Sequence, residues 1–467
     1  MRLSFEEIVR AVDGSAVAGA APCGIVEGVG TDSRAVKPGS LFVCIPGETF
    51  DGHDFAVKAI EAGAAALLVS RNPFDAVPPV PLILVEDTVK ALGKLAHCWR
   101  ERLGETRVIG LTGTAGKTTV KELLAQVLSR RGLTAKTHMN LNNQIGLPLS
   151  MLAATGEEAF WVMEAGISHP NDMDELGAIL EPDLALILNV GPGHAAGLGD
   201  RGTKLLAHLA PGGTAIISAD YPDLAREARA VRQELVFFST SGRQVDYRAA
   251  YVVPAGEDKG LFRLWLDGVS IDVEAPFRGA FGAENVIAVA AVAHRLGLGA
   301  EEIAAGFAGA ALPKQRFACS RAGDWLVIDD SYNANPLSFS RMLEAAAEMA
   351  GDHADRPLVC VLGEMGELGS LSEDEHRNLG RLVADIKPRL VCWKGGHLEE
   401  FEDGLHAGRY GGAFCPVTSA EDMFKGLAAC DLGSGGGVIL FKGSRSNKLE
   451  TLVSAFTEAQ AGEPHAV

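Results

Sequence analysis

No two cysteines of this 467-residue chain stand at Cys-x-x-Cys spacing, and no cysteine–histidine cluster has the spacing of a zinc site. The eight cysteines, scattered from Cys23 to Cys430, read as small buried hydrophobes. Long apolar runs are missing too. None approaches the ~20 residues of a membrane span, and the opening MRLSFEEIVRAV carries acids where a signal peptide has an apolar stretch. Positive charge is scarce: 42 Lys and Arg against 60 Asp and Glu leave a formal charge of −18. That balance argues against a basic face for nucleic acid or anionic lipid, while one local basic pocket still suffices for an anionic substrate. These absences predict a cytoplasmic chain without nucleic-acid or membrane partners, and a monomer is the default.

What is present is a globular composition, 47% hydrophobic and 22% charged, in a chain long enough for about three domains. The first ~85 residues have short buried runs at Leu41–Ile45, Ala66–Val69 and Leu82–Val85, read as strands of a small α/β domain. A helix is predicted from Asp87-Thr88, capped by either residue, to Leu103-Gly104. From Arg107 the pattern alternates strand, turn and helix, as in a parallel sheet. Strands are expected at Arg107–Leu111, Phe160–Met163, Leu184–Leu188 and Ala215–Ile217, with an antiparallel edge over 246–274 and a packed helix over Asn285–Leu296. Beyond Leu312-Pro313 a second alternation begins, with strands at Trp325–Ile328, Leu358–Leu362, Leu390–Trp393 and Val438–Phe441. The fold class is therefore α/β in three domains, with boundaries at 1–86, 87–313 and 314–467.

The segment from Gly110 to Thr119 follows a strand and opens a helix. Its core, Gly113, Thr114, Ala115, Gly116, Lys117, Thr118 and Thr119, suits a phosphate loop, in which backbone N–H groups and the helix N-terminus surround phosphate oxygens. Lys117 would reach the β- and γ-phosphates, and the Thr118 hydroxyl would ligate Mg²⁺. The strict GxxxxGK[ST] pattern is not met, because its first glycine position is Leu111. A guanine-reading NKxD is also missing, since Asn447-Lys448-Leu449 is followed by Glu450. Glu164 ends a buried strand where an α/β sheet presents ligands and can hold Mg²⁺ through oxygen. The next strand leads through Asn189 to His194, a second candidate at the same edge. His138 to Pro148, with Asn140, Asn142, Asn143 and Gln144, offers neutral donors and acceptors suited to a sugar or peptide.

TGTAGKTTVKE, KTHMNLNNQIGLPLSML, the glutamate after FWVM, and NVGPGH together resemble the central domain of the Mur ligase family. The resemblance extends to TDSRAVKPGSLFVCIPGETFDGHDF (31–55), to Arg316, to DDSYNANP (329–336), to VLGEMGELG (361–369), to His376 and to KGSRSNKLE (442–450), so it covers essentially the whole chain. It implies an N-terminal UDP-binding domain, a central P-loop ATPase domain and a C-terminal Rossmann-like domain. The implied activity is an ATP-dependent ligase, using Mg²⁺, that joins D-alanyl-D-alanine to a UDP-N-acetylmuramoyl-tripeptide through an acyl phosphate. By that resemblance Lys117 neutralises the γ-phosphate and Thr118 and Glu164 hold one Mg²⁺, while His194 and a carbamylated Lys204 serve a second. Asn285, Arg316, Asp330 and Asn333 contact nucleotide. Ser33 and Arg34 meet UDP, Asn142 and Asn143 meet substrate, and Lys442, Ser444 and Arg445 grip the dipeptide carboxylate.

Three departures from the family's pattern stand out. Its G-x-H-N-x-x-N reads Gly279-Ala280-Phe281-Gly282-Ala283-Glu284-Asn285 here; the stretch between His194 and Lys204 is short; and P-G-E reads Pro170-Asn171-Asp172. Two other readings stay open: a sibling ligase with another acceptor, and a nucleotide-gated binding protein that has lost catalysis.

Overall fold

Three mostly parallel sheets, each flanked by helices, account for the architecture of the chain, whose computed structural model describes residues 1–19, 23–190, 202–351, 356–432 and 436–461. The first sheet has five strands in the spatial order Ser15–Val17, Leu82–Leu84, Ala66–Val69, Leu41–Val43 and Val29–Gly30, parallel except for its first pair. A separate antiparallel pair, Arg2–Ser4 with Ile25–Glu27, lies beside it. The central sheet has nine strands. Its parallel part runs Val236–Ser239, Thr214–Ser218, Leu184–Ile187, Arg107–Thr112, Phe160–Glu164 and Thr134–Lys136, and the strands Tyr247–Pro254, Gly260–Leu266 and Val269–Ala275 form the expected antiparallel edge. The last sheet has six strands, with Trp325–Asp330, Gly437–Lys442, Leu358–Gly363, Leu390–Lys394 and Ala413–Pro416 parallel and Ala318–Ala322 antiparallel at the edge.

The strand Arg107–Thr112 lies between Leu184–Ile187 and Phe160–Glu164, so its C-terminal end opens at the middle of the sheet, where such sheets bind ligands. The helix that follows, Lys117–Leu128, buries Val120, Leu123, Leu124, Val127 and Leu128, the face its periodicity predicts. It stops at Ser129, whose hydroxyl turns back to the Ala125 carbonyl (2.6 Å), three residues before the predicted end at Gly132. The helix Gly282–Arg295 is buried on all sides from Gly282 to Ala293, which explains its run of Ala and Val. It begins at Gly282, three residues before Asn285, and Gly282 lies so close to Phe277 that a Cβ would come within 2.4 Å of the Phe277 Cβ.

The hydrophobic cores do not stop at the sheet boundaries. Leu92, Leu95, Ala96 and Trp99 of the helix Thr88–Glu101 share one core with Leu3 and Val43 on one side and Met151 and Leu176 on the other. Phe277 and Phe307 likewise share a core with Phe339 and Leu362 of the last sheet. The bridging helix is capped as expected: the Asp87 carboxylate accepts from the Val89 and Lys90 amides at 2.9 and 3.0 Å. Replacing Asp87 with Ala strands both amides and is expected to lower stability by about 1 kcal/mol. The urea midpoint should shift without a change in slope, and an unchanged midpoint would refute the capping role.

Candidate functional site

The phosphate loop is backbone held open from outside. Gly113 and Gly116 adopt φ of +152° and +84°, conformations that favour glycine, and a Cβ on Gly116 would meet the Asn285 Oδ1 at 2.7 Å. Asn189, fully buried, accepts the Ala115 N–H through Oδ1 (2.8 Å) and donates Nδ2–H to the Ala115 carbonyl (3.0 Å). The Thr114 amide donates to the Asn189 carbonyl and the Thr114 carbonyl accepts from Asn335 Nδ2, both at 3.1 Å. Lys117 curls back to the Gly113 carbonyl (2.7 Å). Burial pushes its ammonium below the usual lysine range, with nearby Glu164 and Glu367 opposing the shift. An arriving polyphosphate would supply the missing counter-charge.

Glu164 closes one side of the loop. Its Oε2 accepts from the Thr118 hydroxyl (3.0 Å) and its Oε1 from Asn142 Nδ2 (2.9 Å). Beneath it lies Lys121, completely buried, donating to the Met139 carbonyl (2.8 Å) and standing 3.3 Å from Glu122 and 4.0 Å from Glu164. Lys121 interrupts the apolar face of its helix, and that break in pattern is the signal by which it could have been found in the sequence. Thr118 and Glu164 form an all-oxygen donor set at the helix N-terminus, which fits a hard divalent cation such as Mg²⁺.

A cleft of about 570 Å³ joins this end of the central sheet to the last domain. Gly116, Lys117, Thr118, Glu164, Asn142 and Asn285 line it from one side, and Arg316, Asp330, Asn333, Lys442 and Arg445 from the other. A second cavity of about 410 Å³ continues past Thr114 and Lys117 to Asn189 and Gly366–Leu368. Arg316 rests on the Tyr332 ring, its guanidinium carbon 4.3 Å from the centroid. Phe281, where the family pattern has histidine, packs edge-on against Phe277 and Phe317 at 5.9 and 5.0 Å, so this end of the cleft is aromatic.

Several predicted residues stand elsewhere or are otherwise engaged. Lys204 pairs with Asp174 at 2.6 Å and lines neither cavity, the short 3₁₀ helix Lys204–His208 packing on the helix Asp172–Leu180. His194 lies outside the described residues. Lys442 is buried against Asp330 (2.5 Å) and the Asn333 carbonyl (3.2 Å), and so does not present its ammonium freely to a dipeptide. Ser444 accepts the Gly366 amide (2.7 Å), while Arg445 stands at the rim, 3.1 Å from Glu450. Asn143 accepts the Gly146 amide through Oδ1 (2.9 Å) in the turn that leads into the helix Gly146–Ala153. Ser33 and Arg34 belong to the first domain, where exposed Arg34 pairs with Asp32 (2.7 Å). Asp172, in the departed Pro-Asn-Asp turn, accepts from Ser168, His169 and Gln144; burial favours its neutral form, yet these bonds hold it below the usual carboxylate range.

Among the described residues no group of three or more His, Cys, Asp and Glu side chains is placed to hold a metal, and no helix is long and apolar enough to cross a membrane. Fold and cleft thus define a three-domain α/β protein whose phosphate loop faces the last domain across one cleft. The chain matches the Mur ligase middle domain over residues 111–293, the Mur ligase family catalytic domain over 25–100 and the Mur ligase glutamate ligase domain over 315–445. It is 35% identical over 445 residues to the UDP-N-acetylmuramoyl-tripeptide–D-alanyl-D-alanine ligase of Escherichia coli K12, and 32% identical over 454 residues to the Bacillus subtilis 168 protein of that name. Each alignment covers 93% of this chain and 94% of the relative. Among solved structures, MurF from Acinetobacter baumannii superposes with a TM-score of 0.87 at 29% identity, covering 98% of this chain and 99% of that one. MurF ligase from Thermotoga maritima in complex with ADP superposes at 0.80 and 28% identity, covering 93% and 98%. The chain belongs to the Mur ligase family.

One support of the cleft is sensitive to acid. His376, fully buried, accepts the Met365 amide at Nε2 (2.9 Å) and donates from Nδ1 to the Ser372 carbonyl (2.6 Å), so its ring must be neutral. It stacks on His397 at 4.4 Å. Burial lowers its pKa, with His397 adding to the shift and the Ser372 carbonyl opposing it. A base with a depressed folded pKa costs stability only where the unfolded chain takes up the proton first, below about pH 6.5. Thermal stability is expected to fall as pH drops below that value, and His376→Gln to flatten the fall. Identical pH slopes for the two proteins would refute this.

Proposed function

We propose that the chain is a cytoplasmic ATP-dependent ligase that adds D-alanyl-D-alanine to UDP-N-acetylmuramoyl-tripeptide in peptidoglycan precursor synthesis. The observation that carries this reading is the single cleft in which Lys117, Thr118 and Glu164 of the central domain face Arg316 and Asp330 of the last one. A phosphate loop alone would serve a switch or a kinase. A facing domain that contributes both cation and carboxylate suits a reaction in which nucleotide, acceptor and acid must meet.

In this reading the γ-phosphoryl group of ATP passes to the terminal carboxylate of the tripeptide, breaking its bond to the β-phosphate oxygen and releasing ADP. The dipeptide ammonium loses one proton and the free amine attacks the acyl carbon; the tetrahedral intermediate gives up a second proton from nitrogen to solvent, expels phosphate and leaves an amide. Little of this requires covalent help from the protein, so positioning and charge dominate. Lys117 and the loop amides hold the transferring phosphoryl group, and Arg316 approaches it from the opposite wall. Bound between Thr118, Glu164 and the phosphates, Mg²⁺ would offset charge on the phosphate oxygens. Arg445 is the cation at the rim left to receive the dipeptide carboxylate, with Ser444 and the Lys442–Asp330 pair shaping the wall beside it. Asn142 orients Glu164, Asn285 and Asn333 border the nucleotide, and Ser33 and Arg34 meet UDP. The domains are assigned as 1–86 for UDP-substrate, 87–313 for ATP and 314–467 for the dipeptide, in a monomer.

The test is phosphate release by the purified protein with ATP and Mg²⁺, adding UDP-muramoyl tripeptide and D-alanyl-D-alanine singly and together. Release only with both, and a pentapeptide product by mass, is the expected result. No release, or release independent of acceptor, overturns it in favour of a nucleotide-gated binding protein, a reading that the pairing of Lys204 with Asp174 leaves open. Lys117→Met is expected to lower kcat by at least about 100-fold, the scale of losing one charge-stabilising donor.

A further inference from the structure

The helix Pro336–Gly351 of the last domain meets the phosphate loop by two routes. The first is direct: Asn335 caps the helix, accepting the Ser338 amide at 2.8 Å, and donates its Nδ2–H to the Thr114 carbonyl at 3.1 Å. The second runs through the central domain. Arg341 enters it, pairs with the Glu284 carboxylate and donates to the Tyr221 hydroxyl at 2.7 Å. Glu284 also accepts from Asn189 Nδ2 at 3.4 Å, and Asn189 holds both backbone groups of Ala115. Contacts therefore run unbroken from Ala115 through Asn189, Glu284 and Arg341 into the other domain.

The burial of this pair makes the route more than incidental. The side chains of Arg341 and Glu284 are only 18% and 7% exposed. Burial raises the Glu284 pKa, which Arg341 opposes. Withdrawing either partner would strand a buried charge, so the pair is either made or replaced by water as the domain moves. Arg321 and Glu257 join the same two domains at the surface, 37% and 46% exposed, without touching the loop. That bridge is the natural control.

We propose that Asn189, Glu284 and Arg341 are positioning residues that couple the seating of the C-terminal domain to the shape of the phosphate loop. Nucleotide binding and domain seating then become one event. This rests on the ligase reading and deepens it, naming the residues through which the two halves of the site assemble together. With Arg341 seated, Asn189 holds Ala115 where the loop amides converge; with Arg341 withdrawn, Glu284 seeks new partners and the Asn189 clamp loosens. By linkage, nucleotide strengthens domain seating by the factor by which seating strengthens nucleotide binding.

The experiment uses the full chain and four variants: Glu284→Gln, Arg341→Met, their double, and Arg341→Lys, with Arg321→Ala as control. Affinity for a non-hydrolysable ATP analogue is measured by calorimetry, and KM separately for ATP and for the UDP-substrate. Each single change is expected to weaken analogue binding and raise the ATP KM by about 10-fold, within the usual range of coupling between sites. The UDP-substrate KM should stay at the wild-type value, the double variant should be no worse than either single, and Arg341→Lys should recover part of the loss. Should Arg341→Met fail to fold, the near-isosteric Glu284→Gln and the charge-preserving Arg341→Lys decide the matter. Wild-type analogue affinity in these variants, strictly additive losses, or an equal loss in Arg321→Ala overturns the proposal. A wild-type protein that binds the analogue but ligates nothing removes the ligase reading and leaves the coupling to stand or fall on analogue affinity.

Discussion

A loop that is to wrap phosphate must keep its amides free of one another, so its shape has to be imposed by neighbours. Here Asn189 imposes it. Its side-chain amide satisfies the N–H and the C=O of Ala115 together, as a paired strand would, and its own backbone takes the Thr114 amide. The remaining supports follow from that fixed point: Lys117 on the Gly113 carbonyl, Asn335 on the Thr114 carbonyl, and Gly116 close enough to Asn285 that no larger residue fits. Asn189 itself is fixed because the strand Leu184–Ile187 pairs directly with Arg107–Thr112, placing both strand ends at one level. The site thus depends on strand register in the middle of a nine-stranded sheet.

The same register explains what could be read from the sequence. Lys117, Thr118 and Glu164 were legible because a strand end and the first helical turn are local features, and Met163 and Glu164 pair with Gly110 and Leu111. The order of the three domains and most strands were legible from alternating apolar runs. Lys442 was placed by resemblance at the dipeptide carboxylate, and its partner Asp330 was not legible. The parallel pairing that sets Lys442 opposite Asp330 joins strands more than a hundred residues apart. Asn143 has a local bond that the polar cluster did not announce, its Oδ1 accepting the Gly146 amide. Glu284 and Arg341 could not be paired at all without knowing how two domains meet.

The departure at Gly279–Asn285 is packed rather than vacant. Phe281 fills its place between Phe277 and Phe317, and Gly282 is required by Phe277, so an asparagine could not return there without moving that ring. The aromatic end of the cleft and the all-buried helix behind it are one adaptation. Asn285 and the rings of Phe277, Phe281 and Phe317 line that end of the cleft.

A chain with a formal charge of −18 is an odd host for polyanions. The distribution of charge within the cleft resolves this. Lys121 stands near Glu122 and Glu164, Lys442 pairs with Asp330 and Arg341 with Glu284. These cations are already balanced and hold the walls. Lys117 and Arg316 differ: the first is bonded to a carbonyl and the second rests on an aromatic ring, neither on a carboxylate within ion-pair distance among the described residues. Burial depresses the Lys117 pKa because that charge is not fully answered. A phosphate placed between them would satisfy both at once, and since they belong to different domains, the ligand that satisfies them also draws the domains together. Local imbalance, not net charge, selects the anion.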